Sequence, residues 1–229
     1  MSEQSKTPSD TRPGGRRALA KLLAPLAALL VVVAAASALL LSGSSHPALP
    51  GGARLSPAGS GFYGTLALPS RAAPPIALRN YRGEPVTLAQ YRGRAVLVTF
   101  LYTHCPDVCP LIAANLRVAL AQLGGRASSA QLIAVSVDPG GDTPAAVASF
   151  LRAHQLLGRM QYLLGSAREL GRTWAAWSVG STREAGLPDR VAHSALVYGV
   201  SARGKLTTLY PDSFEPSQIV HDVPRLAAR

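Results

Sequence analysis

The sequence of 229 residues is long enough for one domain with its own hydrophobic core and an additional segment. Hydrophobic residues make up 48% and charged residues only 15%, which excludes a generally disordered chain. The formal net charge is +11, but the arginines are scattered singly and aromatic residues reach only 6%, which favours an anionic membrane or an acidic partner and no nucleic acid.

A basic tail followed by a charge-free segment predicts a membrane anchor. Residues 1–21 are polar and mainly basic, whereas residues 22–41 carry no charge. A helix of that length spans about 30 Å, the thickness of a hydrocarbon core. The positive-inside rule places residues 1–21 in the cytoplasm. We therefore expect a single-pass protein of the cytoplasmic membrane, with its functional domain on the extracytoplasmic (periplasmic) side.

Two alternatives remain open for the apolar segment. Ala36, Ser37 and Ala38 are typical of the cleavage site of a signal peptide, and Arg16 with Arg17 is similar to a twin-arginine signal. Twenty apolar residues are long for a signal core, which favours a retained anchor. All three interpretations export the rest of the chain.

Residues 42–74 are rich in Gly, Pro, Ser and Ala, which predicts a flexible linker between the membrane and a folded domain at 75–229. His46 lies in this linker, where we expect solvent exposure. Within the domain, apolar runs predict strands at 76–78, 85–88, 95–101, 132–137, 161–164, 195–200 and 205–209. Helical spacing and capping residues predict helices at 111–123, 144–154, 167–177 and 215–227, the last bent or ended by Pro224. We expect residues 183–193 to form a charged loop.

This alternation of strands and helices predicts an α/β fold. The two cysteines, Cys105 and Cys109, come directly after the apolar strand at 95–101 and before a helix. A cysteine pair in that position is typical of the thioredoxin-like fold, although a fold alone does not assign a function.

The spacing of the cysteines favours a metal site. An offset of four residues puts both sulfur atoms on one side of a helical turn, and the positive helix N-terminus favours a thiolate. Two thiolates suit Cu(I) or Zn(II). Thioredoxin-type oxidoreductases have two residues between their cysteines, whereas three separate Cys105 and Cys109, which favours chelation over fast disulfide exchange.

Other roles for the pair stay open at this point. A stabilising disulfide and a thiol–disulfide reductase both use the same two cysteines. A peroxidase on this fold usually has Thr three residues before its nucleophile, but Thr103 lies only two residues before Cys105. A non-catalytic redox or copper sensor is a further alternative.

Two thiolates leave a metal ion with too few ligands, so a histidine is expected to complete the site. His104 adjoins the first cysteine and is expected to point to the opposite face. We expect His154 at a helix end and His221 exposed on the last helix. His193 precedes an apolar strand that follows the charged loop, so it is the best-placed candidate. From the residues alone, a structural or surface role for His193 stays open.

Four segments carry a resemblance to a known family. They are YTHCPDVCP at 102–110, VSVDP at 135–139 followed by DTP at 142–144, VAHS at 191–194, and GEPVTLAQYRG at 83–93. Together they resemble the Sco/SenC family of copper proteins, which assist the assembly of cytochrome c oxidase. The resemblance covers roughly residues 75–210, and a single N-terminal anchor fits it.

The resemblance implies a thioredoxin-like fold with copper, as Cu(I) or Cu(II), held by Cys105, Cys109 and His193. It implies delivery of copper to the binuclear site of oxidase subunit II, reduction of the cysteines of that site, or both. In the reductase alternative Cys105 and Cys109 form the redox pair. One position departs from the family pattern, because Ala192 stands where an acidic residue usually precedes the histidine. We expect the nearby Asp189 to supply that group.

Overall fold

A computed structural model describes residues 61–64, 71–184 and 187–229, without the side chains of 183–190. The predicted tail, membrane segment and most of the linker lie outside the described residues. Within the predicted linker, Phe62 is nevertheless buried, and the backbone N–H groups of Tyr63 and Gly64 donate to the carboxylate of Asp222. Contacts of the folded domain therefore begin upstream of residue 75.

The described chain contains ten strands and four α-helices. The strands are β1 (Arg71–Ala72), β2 (Ala77–Asn80), β3 (Pro85–Thr87), β4 (Ala95–Leu101), β5 (Ala130–Ser136), β6 (Met160–Leu164), β7 (Ser181–Glu184), β8 (Leu187–His193), β9 (Leu196–Val200) and β10 (Lys205–Pro211). The helices are α1 (Val108–Leu123), α2 (Pro144–Ala153), α3 (Ala167–Ala176) and α4 (Pro216–Ala227). Short 3₁₀ helices cover Leu88–Tyr91 and Gly124–Ser129.

Eight strands form one mixed sheet in the order β1-β10-β9-β4-β5-β6-β2-β3. The three central strands β4, β5 and β6 are parallel, while β9 pairs antiparallel with β4. β7 and β8 form a separate two-stranded sheet. The parallel centre, with connecting helices and a terminal hairpin and helix, confirms the predicted α/β thioredoxin-like fold.

Composition explains the central strands and the helix starts. All seven residues of β4 are buried, as a continuous apolar run predicts for a strand covered on both faces. The Thr143 side chain accepts from Ala146 N at the start of α2, with Pro144 in the first turn. Ser166 and Glu169 form a capping box that starts α3. The predictions for these elements are confirmed to within two residues.

Two details of the prediction were wrong. α1 begins at Val108 and not at residue 111, because the Asp107 side chain caps it by accepting from Val108 N. The expected loop before the apolar strand β9 is instead the β7–β8 hairpin. Pro224 lies inside α4, which continues to Ala227, the predicted end.

The segment Val108–Ser129, which contains α1, is long and apolar enough to cross a membrane by length and composition alone. One side of it faces the domain core, where Ile112, Leu116 and Ala119 are fully buried. α1 and α4 pack against each other, so α1 belongs to the globular fold.

The close approach of β9, β10 and α4 provides a stability prediction. A Cβ atom at Gly199 would collide with Thr208 Oγ1 and lie 3.1 Å from Leu226 Cδ1. Gly199→Ala is therefore expected to lower the free energy of unfolding by about 1–3 kcal/mol. Urea unfolding followed by tryptophan fluorescence measures it. The control is Gly171→Ala in α3, where a Cβ meets nothing within 4 Å and is expected to stabilise by about 0.5–1 kcal/mol. Equal midpoints for the two variants contradict the packing argument.

Candidate metal centre

The two cysteines lie where β4 passes into α1. Cys105 is in the connecting loop, and Cys109 is in the first turn of the helix. Both are free thiols; the Cys109 side chain is fully buried and that of Cys105 is 7% exposed. The backbone N–H of Cys109 donates to Cys105 Sγ at 3.4 Å. The helix N-terminus thus faces the Cys105 sulfur, as the sequence predicted.

A buried carboxylate holds the loop that carries Cys105. Asp142 Oδ1 accepts from the backbone N–H of Thr103 at 2.7 Å. Its Oδ2 accepts from Ser136 Oγ at 2.6 Å and from the Tyr162 hydroxyl at 2.9 Å. Burial raises the pKa of Asp142 above its usual value, although these hydrogen bonds favour the ionised form. Sequence reasoning assigned Asp142 only as a possible helix cap and missed its role beneath the cysteine loop.

His193 is the last residue of β8, and not a loop residue as predicted. Its hairpin is attached to the domain at several points. Ser181 Oγ donates to Val137 O at 3.4 Å, and Val191 N donates to the Tyr102 hydroxyl at 3.5 Å. The Tyr102 ring lies edge-on to the imidazole, with centroids 5.8 Å apart. A strand end tied to the β4 and β5 loops therefore presents the imidazole to the cysteines.

The structure brings Cys109 and His193 together, although 84 residues separate them. Cys109 Sγ lies 3.7 Å from His193 Nε2. A metal bonded at about 2.3 Å to sulfur and about 2.0 Å to nitrogen, with about 120° between the bonds, holds those two atoms about 3.7 Å apart. These two donor atoms therefore already have the separation that a shared ion requires of them.

The space beside these donors is small and mainly polar. A cavity of about 160 Å³ is lined by Tyr102, Cys105, Pro106, Asp107, Val108, Val191, Ala192 and His193. Sites for small organic molecules usually measure about 300–1,000 Å³. The cavity thus suits an ion or one side chain of a partner better than an organic substrate.

A carbonyl oxygen of the adjacent residue orients the imidazole. His193 Nδ1 lies 3.3 Å from Ser194 O, and the exposed Ala192 contributes no polar group. A carbonyl oxygen in this position favours the tautomer that leaves Nε2 free to bind a metal. The side chain of Asp189, expected to supply an acidic group, lies outside the described residues.

The other histidines are used elsewhere in the fold. His104 Nδ1 pairs with Thr103 Oγ1 at 2.7 Å, and its ring is partly exposed beside Asp138, as expected for a residue pointing away from the sulfurs. His154 caps the end of α2, as predicted. The prediction for His221 was wrong: its side chain is 22% exposed, because it stacks on Tyr63 with ring centroids 3.6 Å apart. His46 lies outside the described residues.

Hydrogen bonding makes the two cysteines chemically different. The Cys109 thiol donates to Cys105, and this contact, with further donors including His193, lowers the pKa of Cys105 to about 4 despite its burial. The same contact and burial raise the pKa of Cys109 well above its usual value. In the metal-free protein Cys105 is thus the thiolate and Cys109 the thiol that donates to it.

This difference predicts a pH-independent reactivity for Cys105. In the metal-free protein, alkylation of Cys105 by iodoacetamide is expected to be nearly as fast at pH 6 as at pH 8, because the low pKa keeps it ionised at both. An ordinary thiol loses about 100-fold in rate over that interval. Peptide mapping by mass spectrometry measures each cysteine separately. Protein unfolded in urea is the control and should regain the ordinary dependence; the same steep dependence in folded protein contradicts the prediction.

The fold and the site together define a class of protein: a thioredoxin-like domain in which a dithiol and an imidazole converge as a potential metal or redox centre. The sequence matches the SCO1/SenC family over residues 66–228. The chain therefore belongs to the SCO1/SenC family, in which Sco proteins assist the assembly of cytochrome c oxidase.

Individual relatives agree with this assignment. The mitochondrial SCO2 homologue of Bos taurus is 31% identical over 157 residues, which cover 66% of this chain and 58% of that protein. The chain thus spans less than two thirds of the length of this relative.

Two solved structures have the same fold. Bradyrhizobium japonicum ScoI with copper bound is 26% identical, with a TM-score of 0.61, over 68% of this chain and 99% of that one. Apo Sco1 of Thermus thermophilus is 30% identical, with a TM-score of 0.63, over 74% and 99% of the two chains.

Proposed function

We propose that this protein is a copper metallochaperone. Cys105, Cys109 and His193 bind one copper ion, and the protein delivers it to the copper site of cytochrome c oxidase subunit II. The observation that carries the proposal is the 3.7 Å separation of Cys109 Sγ and His193 Nε2 beside a second sulfur. A similar structure, that of Bradyrhizobium japonicum ScoI, is one with copper bound, which supports the choice of metal.

The donor set suits a metal that is bound and then released. Two thiolates are soft ligands that favour Cu(I), while the imidazole also accommodates Cu(II). The sulfurs belong to the α1 region of the domain, whereas the imidazole belongs to the separate β7–β8 hairpin. Detachment of the hairpin ligand would leave copper held by two thiolates, and a thiolate of the recipient would then take the place of the imidazole on the metal. His193 is therefore the ligand whose release starts transfer.

The proposed location is the extracytoplasmic (periplasmic) face of the cytoplasmic membrane. Residues 22–41 provide a charge-free anchor of sufficient length, and the basic residues before them favour a cytoplasmic N-terminus. This topology delivers the copper site to the side of the membrane where we place the recipient.

A transfer assay tests the proposal. The full chain in detergent is reduced, loaded with one Cu(I) and mixed with the metal-free, reduced copper domain of oxidase subunit II. Copper is expected to move to the recipient, as measured by metal analysis after separation. His193→Ala is expected to change the transfer rate. Copper that stays on the chain contradicts the chaperone role, and an unchanged rate in the variant contradicts the part assigned to His193.

A second candidate function is reduction of the cysteines of the same oxidase site. The observation favouring it is the ionised Cys105 beside the protonated Cys109, because the former attacks a disulfide and the latter resolves the mixed disulfide. Two electrons and the one proton of the Cys109 thiol leave the pair, which becomes a disulfide; the recipient disulfide becomes two thiols, with the second proton taken from water. The metal-free reduced chain is mixed with the oxidised recipient domain. The protein is a reductase if His193→Ala reduces the recipient as fast as the wild-type chain does and no copper moves in the first assay.

A further inference from the structure

The surfaces at the two ends of the central strands differ in charge. The site end comprises the loops that follow the parallel strands β4, β5 and β6 and the loop after β10. The opposite end comprises the segments that precede β4, β5 and β6, the β9–β10 turn, and the β2–β3 turn, in which Arg82 pairs with Glu84 at 4.0 Å. Pairing of β9 with β4 places Val200 opposite Val96, which puts the β9–β10 turn at that opposite end.

The end opposite the copper site is basic. The segments 92–94, 124–129, 154–159 and 201–205 contain no Asp or Glu, and β1 adds a further arginine. Six of the cationic side chains at this end are exposed and Arg94 is partly buried; the set is Arg71, Arg92, Arg94, Arg126, Arg159, Arg203 and Lys205. Direct contacts join these segments, since Gly93 N donates to Ala202 O at 3.0 Å and Arg92 donates to Arg203 O. We call this set the basic end.

The site end has the opposite character. Segments 102–107, 137–143, 165–169 and 211–215 contain one cation, Arg168. The carboxylates in these segments are Asp107, Asp138, Asp142, Glu169, Asp212 and Glu215. Charge is therefore not spread evenly over the described domain. An anionic surface attracts the basic end and repels the end that carries Cys105 and His193.

A cavity in the basic end is lined by side chains that can donate to a phosphate group. It measures about 510 Å³ and is lined by residues including Arg94, Gln131 and Arg159. Arg94 Nε is buried and has no hydrogen-bond partner among the described residues. A guanidinium with a free donor is the side chain best suited to a phosphate oxygen.

The chain joins the central sheet at the basic end. It enters the sheet through β1, where Arg71 pairs with Leu206 and Ala73 N donates to Gly204 O at 3.0 Å. Before that point Tyr63 and Gly64 contact Asp222 on α4.

We propose that the basic end docks on an anionic phospholipid surface and directs the copper site away from the membrane. Lipid phosphates contact Arg94, Arg126, Arg159 and Arg203, and the acidic site end faces the aqueous phase. Docking fixes the orientation of the domain and presents the Cys105–Cys109–His193 site to a recipient. The inference rests on the proposed membrane location and adds an orientation to it.

Hydrogen exchange of the full chain in lipid nanodiscs tests this orientation. Discs of phosphatidylcholine alone are compared with discs containing one third phosphatidylglycerol by mass spectrometry. Amides in 124–129 and 201–204 are expected to exchange about tenfold more slowly in the anionic discs, whereas those in 103–109 stay unchanged. High salt is expected to abolish the difference. Equal exchange at the basic end in both lipids overturns the proposal. The same result is expected if the true partner of the basic end is an acidic protein.

Matched charge variants localise the contact. The triple variant Arg126→Glu, Arg159→Glu, Arg203→Glu is expected to lose the protection, since each cation near the surface contributes about fivefold. The control triple is Arg79→Glu, Arg168→Glu, Arg172→Glu, which changes the net charge equally at exposed positions outside the basic end and is expected to keep the protection. Equal loss in both variants overturns the proposal, because it indicates attraction by net charge alone.

Two further arms separate the possible sources of the effect. Sodium phosphate at matched ionic strength is added to the phosphatidylcholine discs; protection of the same amides there means that the basic end binds free phosphate, and contradicts docking on lipid. Recovery of the chain in phosphatidylcholine discs tests the anchor separately from the lipid effect. A chain recovered with neither disc type contradicts both the anchor and the docking.

Discussion

Cys109→Ser is expected to leave the protein folded and to abolish tight copper binding. Cys109 Sγ is the fully buried donor that lies 3.7 Å from His193 Nε2, and a serine hydroxyl is neither a soft donor nor ionised at neutral pH. Loss of an outer partner of a metal ligand costs about 10–100-fold in affinity, so loss of the ligand itself is expected to cost more than 100-fold. Competition with a Cu(I) chelator of known affinity measures it.

Two further variants separate the roles of the ligands. Cys105→Ser is expected to lose copper as Cys109→Ser does. His193→Ala keeps both thiolates, so it is expected to retain weaker Cu(I) binding and to lose Cu(II) and its thiolate-to-copper absorption bands. The control is His154→Ala, because His154 caps α2 through its backbone N–H and its imidazole packs on Phe150, with ring centroids 4.4 Å apart. Undiminished copper affinity in Cys109→Ser, or equal losses in the two histidine variants, contradicts the three-ligand site.

Local sequence pattern was sufficient to predict most of the fold. A short apolar run bounded by turns or helices predicts a strand, because such a run has to be buried on both faces. β4 lies at the predicted residues 95–101. The β7–β8 hairpin escaped prediction because its strands, STRE and LPDRVAH, contain charges and no regular apolar alternation. Its pairing is a tertiary property of the chain and depends on contacts such as that of Ser181 with Val137.

The candidate site was only partly predictable from the residues. Cys105 and Cys109 stood out because they are the only cysteines and lie at a strand–helix junction. His193 was one of several possible partners until the family resemblance singled it out, because no local pattern connects residues 84 positions apart. The inward direction of Asp142 was equally hidden, since an Asp before Thr-Pro resembles a helix cap and the cap is in fact Thr143.

Asp142→Ala is expected to weaken both the fold and the copper site. The substitution leaves the Thr103 N–H, the Ser136 hydroxyl and the Tyr162 hydroxyl without their acceptor, all at buried or partly buried positions. The expected loss in the free energy of unfolding is about 3–5 kcal/mol. That corresponds to a fall of at least about 6 °C in Tm for a domain of this size. Because Thr103 then releases the loop of Cys105, copper affinity is expected to fall about 10–100-fold.

Asp222→Ala is the matched control that separates these two effects. Asp222 is also a fully buried carboxylate, and it accepts from Gly64 N at 2.8 Å and from the Tyr210 hydroxyl at 2.8 Å, far along α4 from the cysteines. It is expected to lose similar stability and to keep wild-type copper affinity at a temperature where both variants remain folded. Equal copper affinities in the two variants contradict a positioning role for Asp142.

The pH dependence of stability provides a second, independent signature of Asp142. Burial raises its pKa in the folded state above the usual 3.8, so the folded protein binds the proton more tightly than the unfolded chain does. The contribution of this group is therefore complete below pH 3.8 and declines as the pH rises through the folded-state pKa. Asp142→Ala removes that decline, so the stability difference between wild type and variant should narrow as the pH rises through this interval. A difference that instead widens over the same interval, measured by urea unfolding, means that the folded protein stabilises the carboxylate and that its hydrogen bonds outweigh its burial.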